Sequence, residues 1–225
     1  VSRGARHAVI RSLWRVSPAF REWFFPREIR DSGLLFIHVP KTAGTSIHMA
    51  LYGRALSHDP LAAWQSTYPR SMAGIRTAAV VRDPVDRFLS AFHYLKRGGM
   101  NSFDAEFASR YLQPFATAGD LADAIERTDV QRWLLSEGFH FRRQADFLRD
   151  RSGTVRIDHL FAYERLDEAA EQLSVILGRP ITFPHLNRSD RSDSSLSERQ
   201  RELVRSVYAE DVALHERVLA DHGPR

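Results

Sequence analysis

Lys41 stands in the loop PKTAGTS, residues 40–46, and shares with Lys96 the distinction of being a lysine in a chain of 225 residues whose other basic side chains are arginines. The loop follows the apolar run LLFIHV, residues 34–39, and leads into SIHMALYG, residues 46–53. A strand, a tight polar loop and a helix in that order form a cradle for an anion, because the free N–H groups and positive end of the helix face the loop. Gly44 would let the backbone approach such a ligand. Thr42, Thr45 and Ser46 offer hydroxyl donors, Ala43 lies in the same run, and Lys41 adds a mobile point charge. A second stretch repeats the logic. Arg82 ends the apolar run TAAVV, residues 77–81, and can grip an anion with its planar fork. Ser90 lies two helical turns further on, and helical side chains lean toward the N-terminus, so its hydroxyl can reach back toward Arg82. Two anion sites side by side suit a ligand with two phosphate-like groups.

The loop departs from the nucleotide-triphosphate pattern G-x-x-x-x-G-K-[ST], because Lys41 precedes Gly44 and no glycine takes the earlier position. The second strand ends in Arg82 where a magnesium-binding aspartate would be needed. The expectation is therefore an anion site without a metal.

These sites need elements to hold them, and the pattern supplies an α/β fold: a central, mainly parallel sheet flanked by helices, as strands alternating with helices require. In such sheets ligands sit beyond the carboxyl ends of the strands, where both stretches fall. Residues 34–39 and 77–81 read as buried strands, and a third lies within TVRIDHLFAY, residues 154–163. The helix DPVDRFLSAFHYL starts with Asp83 as N-cap and Pro84 in the first turn. Residues 54–76 read as loop. Residues 100–150 read as a helical subregion, residues 166–178 as a helix closed by Gly178, and residues 196–219 as one last helix with Ser197 and Gln200 in a capping box. Residues 1–31 form a basic helical arm with Val9, Ile10, Leu13, Trp14 and Phe20 on its apolar side. Residues 32–225 form a single domain.

Composition narrows the classes. The net charge of +4 favours an anionic ligand, but acidic and basic residues are interleaved and no basic stripe marks a nucleic-acid binder. There is no cysteine, hence no disulfide and no thiolate metal site. No apolar run reaches the roughly 20 residues of a membrane span. Together these favour a bacterial cytoplasmic protein over a Golgi lumenal fragment.

The segments FIHVPKTAGTS, residues 36–46, and VVRDPVDRFLSAF, residues 80–92, resemble the two signature segments of the sulfotransferases that use 3′-phosphoadenosine 5′-phosphosulfate (PAPS), and are most similar to family 2, which includes carbohydrate O-sulfotransferases. Weaker echoes follow in the same order: RRQADFL, AYERL, PHLNRS and VYAEDVALHERV. The resemblance implies a P-loop-like fold, PAPS as co-substrate, PAP as product, and a saccharide or other hydroxyl-bearing acceptor. It implies that residues 41–46 hold the 5′-phosphosulfate and that Arg82 and Ser90 hold the 3′-phosphate. It implies that Arg188, with Asn187 and Ser189, closes over the nucleotide. Lys41 would then neutralise charge on the bridging oxygen that leaves sulfur. The acceptor hydroxyl needs a base, for which neutral histidine is suited. Related proteins carry a histidine in the segment between the two motifs, which points to His58 in LSHDPL, with His48 as second candidate and His38 as structural. Arg142, Arg143 and Lys96 could hold an acidic acceptor, and Trp64 and Tyr68 could stack on a sugar. The competing readings are a nucleotide kinase or NTPase of related fold, and a non-catalytic protein that binds an anionic ligand.

Overall fold

The computed structural model describes residues 18–184 and 196–221. Two short helices, α1 (Pro18–Glu22) and α2 (Arg27–Ser32), lead into β1 (Leu34–Ile37). After the loop come α3 (Gly44–Tyr52), α4 (Leu61–Thr67) and β2 (Arg76–Val81). Then follow α5 (Pro84–Lys96), α6 (Ser102–Phe107) continued by a π turn (Ala108–Leu112), α7 (Ala118–Ala124), α8 (Thr128–Ser136) and α9 (Gln144–Leu148). The chain closes with β3 (His159–Ala162), a 3-10 turn (Tyr163–Arg165), α10 (Leu166–Leu177), α11 (Glu198–Val207) and α12 (Ala209–Asp221).

Among the described residues the sheet has the order β1-β2-β3, every pair parallel. Leu34 lies opposite Arg76 and Ile37 opposite Ala79, while Val81 lies opposite Ala162. This is the expected α/β architecture. The parallel pairing puts the ends of β1 and β2 side by side, which brings the loop after β1 next to Arg82. All four residues of β1 are buried, consistent with their continuous apolar run. The open edge of β1 is covered by side chains of α3. The Tyr52 hydroxyl donates to Leu34 O at 2.9 Å and accepts from Phe36 N at 2.8 Å, and His48 Nε2 lies 3.1 Å from Phe36 O. An exposed strand edge would otherwise leave these backbone groups unpaired.

Two apolar clusters organise the interior. One joins the sheet to α2, α3 and α4 through Ile29, Phe36, Ile47, Leu61 and Phe161. The other joins α5 to the helical subregion and α11 through Phe88, Phe92, Leu121, Leu134, Phe141 and Tyr208. Asp83 caps α5 as expected, accepting from Val85 N and Asp86 N at 2.9 and 3.0 Å, with Pro84 as first helical residue. Ser197 and Gln200 form the expected capping box on α11.

Two expectations are corrected. The segment 54–76 contains α4, whose Leu61 and Trp64 share one buried face at i, i+3 spacing. The third strand, His159–Ala162, lies within the expected segment, and Val155 before it turns aside into an isolated antiparallel bridge with Arg149. The last helix is two helices broken at Tyr208, whose hydroxyl donates to Phe141 O at 2.6 Å in the second cluster. Burying that ring and satisfying its hydroxyl bends the chain, and the bend aims Asp211 at the start of α9. The expected apolar face of the N-terminal arm, with Val9, Ile10, Leu13 and Trp14, lies outside the described residues. Among the described residues no helix is long and apolar enough to cross a membrane.

Candidate active site

The loop after β1 is held in an uncommon shape. Lys41 and Ala43 both have left-handed backbones, with φ of 69° and 64°. Each costs a residue with a side chain roughly 1–2 kcal/mol, and such strain concentrates where function needs a set geometry. The loop is tied down from below. Thr42 Oγ1 donates to Val39 O at 2.9 Å, and the buried Arg87 of α5 donates from Nε to Pro40 O at 2.9 Å. The Thr42 hydroxyl therefore faces inward and is not available as the expected donor to a ligand. Thr45 is exposed and Ser46 is buried at the head of α3.

Gly44 also has a different reason from the expected one. A Cβ placed there would lie 2.0 Å from His38 Cδ2, so the residue makes room for a histidine ring behind the loop. We expect Gly44→Ala to lose about 1–3 kcal/mol of stability through overpacking, read as a lowered thermal midpoint; an unchanged midpoint would mean that the His38 ring can move away.

Arg82 joins this loop. Its Nη1 donates to Lys41 O at 3.4 Å, and its guanidinium lies 4.3 Å from the centroid of the Tyr163 ring. The Arg82 backbone is clamped by the buried amide of Gln144, which accepts from Arg82 N at 3.0 Å and donates to Arg82 O at 2.9 Å. Gln144 N and Ala145 N in turn donate to the buried carboxylate of Asp211 at 2.8 and 3.0 Å. The segments RRQADFL and VYAEDVALHERV thus serve to fix Arg82. Ser90 lies half-buried on α5, two turns from Arg82.

Positive charge accumulates here, with Asp211 and Asp146 the opposing carboxylates at Arg87 and Asp104 at Lys41. Arg82 Nε and Arg87 Nη2 are buried and unpaired among the described residues. Burial and the neighbouring Arg82 and Arg97 lower the Lys41 pKa to about 8, with Asp104 opposing and Arg87 adding to the depression. Buried polar groups are normally paired, so this arrangement is what an anion would complete.

Four histidines surround the loop. His48 is fully buried and both ring nitrogens are engaged: Nδ1 accepts from Leu56 N at 3.1 Å, so Nε2 carries the proton toward Phe36 O. Its second-candidate role as base is therefore corrected, because no lone pair remains free. His38 is buried, with Nδ1 unpartnered among the described residues, and burial followed by the charges of His58, His48, His140 and Lys41 lowers its pKa to about 2. His58 is half-buried and packs its ring 3.8 Å from that of His38, with the edge of Phe139 at 5.6 Å. Burial holds His58 below its ordinary value, against pulls from Asp59 and Asp104, so the ring is neutral at neutral pH.

Sequence reading missed a second group. His140 Nε2 lies 3.0 Å from Asp104 Oδ1, the Tyr94 hydroxyl donates to Asp104 Oδ2 at 2.7 Å, and the Lys41 ammonium lies 4.0 Å from the centroid of the Tyr94 ring. Burial lowers His140 to about 4, although Asp104 pulls the other way. Tyr94, Asp104 and His140 stand far apart in the chain, and no local pattern marks them as a group.

Other candidates fall elsewhere. Trp64 is 5% exposed and packs in the first cluster against Phe25 and Tyr68, so it cannot stack on a sugar, and Tyr68 is engaged in the same aromatic group. Lys96 caps carbonyls, donating to Phe115 O at 2.9 Å and Leu112 O at 3.4 Å. Arg143 donates to Val207 O at 3.5 Å, while Arg142 lies over the Phe147 ring with Nε buried and unpaired among the described residues. Asn187, Arg188 and Ser189 lie outside the described residues. Among the described residues no group of three or more His, Asp or Glu is arranged to hold a metal ion.

A family model described as "Sulfotransferase family" matches residues 29–219. No curated protein and no solved structure matches the chain.

Proposed function

The chain belongs to the sulfotransferase family, and from that premise we propose that it moves a sulfuryl group from PAPS to a hydroxyl of a saccharide acceptor. The observation that carries this reading is the contact between the two cationic stretches. The Arg82 guanidinium donates to the backbone of Lys41, and Arg82 Nε and Arg87 Nη2 are buried without partners among the described residues. A donor with separate 5′-phosphosulfate and 3′-phosphate groups matches two adjoining cationic cradles. Residues 41–46 would hold the first group, with the N–H groups of α3 and the Lys41 ammonium as donors. Arg82 and Ser90 would hold the second, with Arg188 closing over the nucleotide.

The donor supplies an activated sulfuryl group and leaves as PAP. Lys41 places its ammonium against the bridging oxygen, where the electron pair of the broken S–O bond collects. His58 takes the proton that the acceptor hydroxyl loses as its oxygen bonds to sulfur. The ring suits that task because burial keeps it neutral and no described residue bonds to its nitrogens. His38 behind it, held uncharged, keeps a second positive charge out of the site.

The test is calorimetric titration with PAP, followed by incubation with labelled PAPS and a panel of glycans and simple alcohols read by mass. We expect PAP binding and a sulfated glycan. Absence of PAP binding would reject the reading, and binding without any sulfated product would favour a non-catalytic anion binder.

The pH profile follows from the same groups. Turnover requires Lys41 protonated, so kcat/KM should fall as pH rises through about 8 in the free enzyme. It requires His58 neutral, so the acid limb should lie below the ordinary histidine value of 6.5. An anionic donor opposite Lys41 favours the charged form, so the alkaline limb of kcat should lie above that of kcat/KM. Arginine does not lose its proton in this range, and Lys41→Arg should erase the alkaline limb; a limb that survives the substitution belongs to another group.

A further inference from the structure

The Lys41 ammonium reaches into the site without an acidic partner. Among the described residues no ion pair or hydrogen bond engages Nζ, and its close neighbour is the face of Tyr94, 4.0 Å from the ring centroid. We propose that Tyr94, locked by Asp104 and His140, is a positioning residue that parks the Lys41 ammonium on its ring face and releases it to the donor. The proposal deepens the reading above and rests on it for the identity of the donor.

The lock is built from four donors on one buried carboxylate. Asp104 accepts from the Tyr94 hydroxyl at 2.7 Å, Met100 N at 3.1 Å and Asn101 Nδ2 at 3.1 Å, and its other oxygen lies 3.0 Å from His140 Nε2. The chain makes room for this at Gly99, where the backbone is left-handed, with φ of 64°, and where a Cβ would lie 2.2 Å from Asp104 Cβ. The His140 ring also packs against Tyr94, with centroids 4.7 Å apart. The carboxylate therefore cannot rotate toward Lys41, and the tyrosine ring cannot turn its face away.

This geometry solves a conflict. A cation needed at a leaving oxygen has to be kept near the site before the donor arrives, yet a direct carboxylate bridge would hold it too firmly and cancel its charge. A ring face attracts an ammonium without hydrogen-bonding it, so the cation is held in place and keeps its charge. A phenol that donates to a carboxylate is polarised toward greater electron density, which strengthens the attraction of its face. Asp104 thus acts on Lys41 through the ring. The charged and titratable groups facing Lys41 are Arg82, Arg87, Arg97, His38, His140 and Asp104, and Asp104 is the one anion among those described.

Lysine occurs at two positions only, Lys41 and Lys96, so reductive methylation with carbon-13 label yields two lysine signals beside that of the amino terminus, with the charge retained. We expect the Lys41 methyl signal of the full chain to be shifted upfield by the Tyr94 ring current. We expect that shift to persist in Tyr94→Phe, to vanish in Tyr94→Leu, and to be lost in the wild type on saturation with PAP. In turnover, Tyr94→Leu should lose roughly 3- to 30-fold in kcat with PAP affinity within about threefold, and Tyr94→Phe should recover most of that loss. A Lys41 signal that is the same in wild type and Tyr94→Leu overturns the platform, as does a signal that stays upfield with PAP bound. A Tyr94→Phe protein as impaired as Tyr94→Leu, with an equally lowered thermal midpoint, would make the ring structural only. Failure of PAP to bind at all would reject the donor reading, while the upfield shift and its loss in Tyr94→Leu would still support the parking contact.

Discussion

Lys41→Ala is expected to lower kcat by roughly 10²–10³ while the affinity for PAP changes by a modest factor. The position of the ammonium and its lack of a direct ionic partner among the described residues set this expectation. Its stem leaves a left-handed backbone at φ 69°, its head rests on the Tyr94 face, and no carboxylate of the described residues pairs with it directly, Asp104 acting only from a distance. Arg82, Arg87 and Arg97 all bear on it as like charges, and burial disfavours its charged form further. A cation kept under such conditions destabilises the folded protein, and alanine adopts the same backbone no more easily than lysine does. The substitution should therefore leave the thermal midpoint unchanged or raise it while turnover collapses. That divergence is the signature of a side chain retained for chemistry. Turnover within about threefold of wild type would reject the assignment, and a large loss of PAP affinity would make the main role of Lys41 ground-state binding rather than stabilisation of the leaving oxygen.

His58→Ala should cost roughly 10²–10⁴ in kcat, the range for a general base, again with PAP affinity preserved. The competing rings argue for this residue by their own engagements. His48 spends both nitrogens on the backbone around α3, and His140 is tied to Asp104 with its Nδ1 buried. His38 is buried under Gly44. His58 is half-buried, stacked on His38 and unbonded to the other described residues at its nitrogens. Steady-state kinetics with the acceptor found in the glycan panel provides the measurement. A kcat within about threefold of wild type moves the role elsewhere, and the same loss in His38→Ala would indicate that the stacked pair acts as a unit.

How far the site was legible in the chain differs residue by residue. Lys41 and Arg82 could be placed at strand ends because a short apolar run, a polar loop and a capped helix are local patterns. Asp83 and Pro84 announce α5 by chemistry that acts within one turn. The helix stop at Gly178 and the capping box at Ser197 are local in the same sense. The roles given to Thr42 and Gly44 changed for the opposite reason. Thr42 turns to Val39 O, and Gly44 yields to a ring from the end of β1, and neither partner is visible from spacing alone. His48 looked free on its helix until the strand edge and Leu56 claimed both nitrogens.

What the amino-acid order determined by itself was the alternation of strands and helices, the two cationic loops at strand ends, and the family to which those loops belong. Short-range forces set these: hydrophobic periodicity, capping, and the steric limits of proline and glycine. Only the tertiary structure decided which groups meet. It brought Tyr94 and Asp104 beneath Lys41, tied Arg82 through Gln144 to Asp211 some 67 residues further along, and separated the free histidine from the engaged ones. Those contacts join residues far apart in the chain, and each depends on the burial of apolar surface that folds the sheet and helices together, a quantity that belongs to the whole molecule rather than to any local stretch.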